Sequence, residues 1–471
     1  MMNPNKQEHS KGSSLGLGKQ RSYAEIIETL DNRWQLAPDK SLSRIKKIDS
    51  ILGFPSKKFP SVFVAGTNGK SLTINFISQI LKEEGISAGT YSWPHFLTYN
   101  ERISLNNNET INNKVFTEIA NEILNTIETE NIEANTQEIL TAISLKYFEQ
   151  SKVDVAIFEV AKNHAWDPVN VCEPKVVAIT RVTDNESDQS KLDALIDQIS
   201  NIVVKDSWVI SADQSKISLH KLQEKVYAKQ ANWAMPIRKL APLSYPFEQL
   251  HGRSAALAER VAQIFIENWI TKEATVISDS LLIRPKGQRG RPTIEAKRKA
   301  ELNPQKTLEQ FWKDTNCSCH GHFQLLDKEK PSILLDASSN LDSLENLLLG
   351  TRLLNYKKPF KGLTIVYNYE NDTIESSEFL KQIRYFFKKT PGQLIISPAK
   401  ISKWKIPVSI DANKILNNLK NSKIKVVLAQ NFLDALDKAK KSVDERNGLV
   451  VITGGPSAIT EYWLSKDIKK F

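Results

Sequence analysis

Ten consecutive residues constrain this chain more than any others: Val62-Phe63-Val64-Ala65-Gly66-Thr67-Asn68-Gly69-Lys70-Ser71. The opening run is strand-like in its valine and phenylalanine content and breaks at Gly66. Beyond Ser71, residues Phe76, Ile77, Ile80 and Leu81 recur at helical spacing, and Gly85 supplies a stop. Strand, glycine-bearing turn, lysine, hydroxyl and helix form the layout of a phosphate-binding loop. The backbone N–H groups of Gly66, Thr67, Asn68 and Gly69 and of the helix N-terminus are expected to face an anion. Lys70 would neutralise β/γ-phosphate oxygens and Ser71 would reach a magnesium ion, so ATP and Mg2+ are the expected cofactors. An ordinary strand-to-helix turn with a solvated lysine is the competing reading. The flanking strand and helix favour the phosphate.

A chain of 471 residues exceeds one ordinary core and suits two domains. No apolar run is long enough to span a bilayer, so no membrane partner is expected. Residues 1–20 are polar and lack the apolar core of a signal peptide; they read as a disordered tail. Three cysteines at no disulfide-like spacing point to a reducing, cytoplasmic setting. The formal charge of +10 suits anionic ligands, and equally nucleic acid or an anionic surface.

Gly66-Thr67-Asn68-Gly69-Lys70 is shorter than the general phosphate-loop pattern and has the form used by the Mur ligase superfamily. Further on, Trp93-Pro94-His95-Phe96 and Asn100-Glu101-Arg102-Ile103 stand where one branch carries Ser-Pro-His-Leu and Asn-Glu-Arg-Ile. Glu138-Ile139-Leu140-Thr141-Ala142 matches Glu-x-Leu-Thr-Ala, and Val450 to Pro456 resembles the closing strand, Thr-Gly-Ser and helix. On these residues the chain resembles the folylpolyglutamate and dihydrofolate synthases from about Tyr23 to its C-terminus. The resemblance implies an α/β protein with a P-loop-containing, Mur-ligase-like central ATPase domain and a smaller Rossmann-like C-terminal α/β domain. The expected division is a tail at 1–20, an ATP-binding domain at 21–283, a basic insert at 284–316 and the C-terminal domain at 317–471.

Apolar spacing predicts helices over Val115–Ile127, Glu138–Phe148, Ser190–Val203 and Ser254–Ile270. Near-continuous apolar runs predict strands over Val153–Val160 and Val176–Thr180 and around Val209. From Ser332 strands and helices alternate, with strands at Ser332–Asp336, Leu363–Tyr367, Leu394–Ser397, Lys425–Leu428 and Leu449–Thr453.

The resembled enzymes phosphorylate a folate or dihydropteroate carboxylate with ATP, and the amine of L-glutamate attacks the acyl phosphate. Lys70, Glu159 and Asp336 are then the expected catalytic residues. Gly66, Thr67, Asn68, Gly69, Lys70, Ser71, His322 and Asn340 would bind nucleotide; His95, Arg102 and Glu138 would bind substrate. Ser71, Glu159 and Asp184 are the expected metal ligands, because magnesium prefers oxygen. A monomer is the default that the resemblance implies.

Several positions depart from the pattern. Trp93 replaces a serine magnesium ligand and Ser339 replaces a histidine in Asp336-Ala337-Ser338-Ser339-Asn340. Thr183-Asp184-Asn185-Glu186 lacks a metal-binding histidine, and Asp184 or Glu186 could stand in. The arginine near the phosphates becomes His322, a ring expected to titrate near neutrality. Two readings stay open on this evidence: a ligase with altered metal ligands, or a nucleotide-binding relative that has lost ligation.

A third reading comes from Arg284 to Phe311, where seven basic residues crowd into 16 positions against Glu295. Arg289-Gly290-Arg291-Pro292 resembles a minor-groove hook. A solvated insert between domains is the blander account, and it is the one preferred, so nucleic acid is not an expected partner. Cys317, Cys319, His320 and His322 put four metal-capable side chains in six residues, too crowded for an ordinary tetrahedral zinc site.

Overall fold

The computed structural model describes residues 18–34, 41–106, 109–161, 164–183, 189–212, 214–236, 247–270, 311, 319–370, 374, 376–399 and 424–471. The basic insert apart from Phe311, together with Asp184, Glu186 and Cys317, lies outside them.

Two sheets organise the described chain. In the first, strands β1 (Ser61–Ala65), β2 (Ala88–Tyr91), β3 (Ile103–Leu105), β4 (Glu109–Thr110), β5 (Val155–Glu159), β6 (Pro174–Ile179), β7 (Trp208–Ser211) and β8 (Asn232–Ala234) lie in the order β4-β3-β2-β5-β1-β6-β7-β8. All neighbours are parallel except the β2-β3-β4 edge. β1 is buried along its whole length, and its side chains alternate between two cores. Phe63 and Ala65 face the core covered by helices α1 (Tyr23–Arg33), α2 (Ser43–Ile51), α4 (Asn113–Thr129), α5 (Thr136–Gln150), α6 (Gln189–Ser200) and α7 (Lys216–Ala228). Val62 and Val64 face α3 (Lys70–Glu83) and α8 (Phe247–Trp269). A parallel sheet buried on both faces explains the unbroken apolar runs.

The second sheet holds β9 (Gln324–Leu326), β10 (Ser332–Leu335), β11 (Leu363–Tyr369), β12 (Gln393–Pro398), β13 (Lys425–Leu428) and β14 (Leu449–Thr453), in the order β13-β12-β11-β14-β10-β9. Only β9 is antiparallel to its neighbour. One face packs on α9 (Leu341–Lys357) and α10 (Ser377–Lys389), the other on α11 (Phe432–Lys441) and α12 (Pro456–Leu464).

The elements expected from the apolar runs are present, with ends shifted by a few residues; α8 begins earlier than its apolar spacing indicated. Helix α7 and the short strands β3, β4, β8 and β9 were not foreseen. Strands of two or three residues carry no periodicity, and pairing alone defines them.

Among the described residues the two units touch at three places. Thr460 Oγ1 donates to the Phe96 carbonyl at 2.7 Å, and Phe96 packs against the core of the second sheet. Helix α9 comes so close to α8 that a Cβ at Gly350 would stand 3.1 Å from Leu250. The third place is the phosphate loop.

Candidate active site

β1 lies where the strand order reverses, with β2 and β5 on one side and β6 to β8 on the other. In doubly wound sheets the crevice at the C-terminal ends of such strands is the place where ligands bind. Gly66 leaves β1 with φ +127°, and a Cβ there would stand 2.3 Å from Thr180 Oγ1 at the end of β6. Glycine is therefore required by both conformation and space. Gly69, at φ +85°, leads into α3 with no side-chain cap. The first N–H groups of α3 are thus left without a side-chain acceptor at the positive end of the helix dipole.

The turn is moored on the far side by the segment after β6. Thr67 N and Asn68 N donate to the Arg181 carbonyl at 2.8 and 3.3 Å. Thr67 Oγ1 donates to Thr183 O at 3.0 Å and accepts from Thr183 N at 3.1 Å. The N–H groups of Thr67 and Asn68, expected to face an anion, are spent on Arg181 instead.

Lys70 Nζ donates to Gly66 O at 3.1 Å and stands 3.6 Å from Glu159 Oε1. Ser71 Oγ stands 3.0 Å from Glu159 Oε2 and 3.2 Å from Trp93 O, sharing its one hydrogen between them, and Trp93 N donates to the same Glu159 oxygen at 3.1 Å. Burial pushes the Glu159 carboxyl above its ordinary range, and the neighbouring Lys70 charge opposes that shift. Hydroxyl and carboxylate oxygens side by side suit a hard divalent cation, so Ser71 and Glu159 fit magnesium. The expected third ligand, Asp184, lies outside the described residues. Trp93 supplies only backbone atoms; its ring lies under the Arg102 guanidinium at 3.6 Å.

Two clefts flank the loop, each lined from both units. One, of about 240 Å³, runs past Ser71, Asn75, Phe96, Glu101, His320 and His322. The other, of about 340 Å³, runs past Gly69, Leu72, Arg181, Arg253, Asp342 and Asn346. Arg181, Arg253 and Asp342 were missed from the sequence. Arg181 had one signal, its place just after a parallel strand beside the phosphate loop.

Other expected site residues have partners that define what they do locally. Arg102 is buried and donates from Nε to His95 Nδ1 at 2.8 Å. Burial, with the Arg102 charge, holds the His95 pKa well below the usual value, so the ring is neutral. Glu138 receives Arg44 Nε at 3.0 and 3.1 Å and caps the first turn of α5 through Asn135 N. None of these three lines either cleft. Asp336, at the end of β10, accepts from Phe323 N at 2.9 Å and from the Ser338 hydroxyl, and burial pushes its carboxyl up to about 6. His322 corrects an expectation: burial, with His320 nearby, lowers its pKa to about 4, so the ring is neutral at pH 7.

Among the described residues no cluster of three or more His, Cys, Asp or Glu could hold a metal ion, Cys319 is a free thiol, and no helix is long and apolar enough to cross a membrane.

No protein-family model matches the chain. The dihydrofolate synthase/folylpolyglutamate synthase of Bacillus subtilis is 36% identical over 166 residues, 34% of this chain and 38% of that relative's length. Mycobacterium tuberculosis folylpolyglutamate synthase complexed with ADP superimposes with a TM-score of 0.73 at 18% identity, covering 95% of this chain and 98% of that one. A bifunctional folylpolyglutamate/dihydrofolate synthase with Mn, AMPPNP and L-glutamate bound gives 0.71 at 17% identity, covering 95% and 100%. In sequence and in fold, the relatives of this chain are the folylpolyglutamate and dihydrofolate synthases of the Mur ligase superfamily.

Proposed function

We propose that this protein is an ATP-dependent ligase that joins L-glutamate to a folate or dihydropteroate carboxylate through an acyl phosphate, as a monomer in the cytoplasm. One observation carries the reading. The paired Ser71 and Glu159 oxygens, 3.0 Å apart, sit beside Lys70 at the uncapped start of α3. The two clefts beside the loop would take nucleotide and acceptor.

In this proposal the glycines at 66 and 69 let the loop approach the triphosphate closely, and the first N–H groups of α3 hold it. Lys70 leaves Gly66 O and Glu159 to neutralise the transferring phosphoryl oxygens. Ser71 and Glu159 would hold magnesium, which when bound would offset phosphate charge. Trp93, through its N–H and carbonyl, keeps these two side chains in register. Asn68 and Asn340 join the units beside the loop and would border the bound nucleotide. Asp336 orders the segment that brings His322 into the cleft beside Ser71, where its neutral imidazole would donate one hydrogen bond and accept another from the nucleotide. The His95–Arg102 pair and Glu138 stiffen the walls behind the site.

The second reading, nucleotide binding without ligation, is favoured by Trp93, whose side chain offers no oxygen. ADP release from ATP, magnesium and glutamate, with and without dihydropteroate or tetrahydrofolate, separates the two. Acceptor-dependent release, with a product heavier by one glutamate, supports the ligase. Tight ATP binding with no turnover on any acceptor overturns it.

A further inference from the structure

Asp342 lies in the first turn of α9, where an acid is normally explained by the helix dipole. That account leaves its geometry unexplained. The cap of α9 is already made by Asn340, whose side chain accepts from Ser343 N at 3.0 Å. Both Asp342 oxygens instead reach across to the first unit: Oδ2 accepts from Asn68 Nδ2 at 2.7 Å, and Oδ1 accepts from Arg181 Nε at 2.6 Å. Beside them Asn68 and Asn340 exchange amide hydrogen bonds of 3.1 and 2.7 Å.

The two residues gripped are not incidental to the phosphate loop. Asn68 is part of it, and the carbonyl of Arg181 receives the N–H groups of Thr67 and Asn68. One carboxylate therefore holds the loop by a side chain and by the residue that supports its backbone. The Asp342 side chain is only 15% exposed, so its charge is less screened than that of a surface pair.

We propose that Asp342 is a positioning residue that fastens the second α/β unit to the phosphate loop through Asn68 and Arg181. Closure of the units and the shape of the loop are then set together. Both clefts need walls from both units, so a loop that forms only when the units meet places nucleotide and acceptor in one event. The rate consequence rests on the ligase reading; the structural consequence does not.

The test is amide hydrogen exchange of the full-length protein, comparing wild type with Asp342→Ala and Asp342→Asn. In Asp342→Ala the peptide containing Thr67 to Lys70 should exchange about tenfold faster, while peptides within β11 and β12 keep wild-type protection. Asp342→Asn keeps an oxygen for Asn68, loses the ion pair, and should fall between. Combining Arg181→Asp with Asp342→Arg should restore protection that either change alone removes. If the ligase reading also holds, Asp342→Ala lowers kcat/KM for ATP about tenfold, because the loop that holds the triphosphate is less ordered. Should Asp342→Ala fail to fold, Asp342→Asn and Arg181→Gln carry the same exchange comparison. Unchanged loop exchange in a folded variant, or no recovery in the reversed pair, overturns the proposal. A rate loss without a change in loop exchange does so too. Absence of ligase turnover with faster loop exchange leaves the positioning role intact and overturns only the ligase reading.

Discussion

Each α/β unit turns from a buried strand into a helix at the same crevice, and the two turns use opposite chemistry. In the first, β1 passes through two glycines of positive φ into α3, whose start carries no side-chain cap. In the second, β10 passes through Asp336, Ala337, Ser338 and Ser339 to Asn340, which caps α9 in a reciprocal box with Ser343. A capped helix start has spent its donors on itself. An uncapped one keeps them for a ligand. The first turn leaves its helix start uncapped, as the proposed anion site requires. The second is built to hold shape and to present Asp342 and Asn340 to the first.

Breaking the receiving turn should have the largest effect. Lys70→Ala removes the lysine 3.6 Å from Glu159 and should weaken binding of a non-hydrolysable ATP analogue on the order of a hundredfold, read by calorimetry. Unaltered affinity would mean that the anion is held elsewhere.

Gly66→Ala sharpens the comparison by testing space rather than charge. Its Cβ would stand 2.3 Å from Thr180 Oγ1 at φ +127°, so the chain must shift or strain. A loss of about 1–3 kcal/mol in chemical denaturation is expected, together with lost nucleotide affinity. Adding Thr180→Ala should recover only part of the stability, because the backbone strain persists.

The smallest effect belongs to the structural turn. Asn340→Ala deletes a cap and should lower stability by about 1 kcal/mol. Asn340→Ser keeps a capping oxygen and loses the exchange with Asn68. Its stability should stay near wild type, while the phosphate loop loses amide protection. Equal losses in both variants would show that Asn340 matters only as a cap.

Much of the site's first turn was legible because its constraints are local. Val62 to Ser71 forms strand, turn and helix within ten residues, and the glycines, lysine and hydroxyl each have a reason to be where they are. Glu159 was legible by its place at the end of an apolar strand. Three other assignments read differently once neighbours were known. His322 was expected to titrate near neutrality, yet burial depresses its pKa to about 4. Glu138 matched a family motif, and the fold gives its carboxylate to Arg44. Thr67 and Asn68 turned their N–H groups to Arg181 rather than to the crevice.

What the sequence determined by itself was therefore the pair of alternating α/β patterns and the phosphate-loop turn, since periodicity and glycine conformation act over a few residues. Only the tertiary structure decided that Asp342 meets Arg181, 161 positions away, and that both clefts draw walls from two units. Contacts of that range leave no local pattern. They arise when two sheets bring their strand ends together, and burial and charge at the junction then set what each side chain can do.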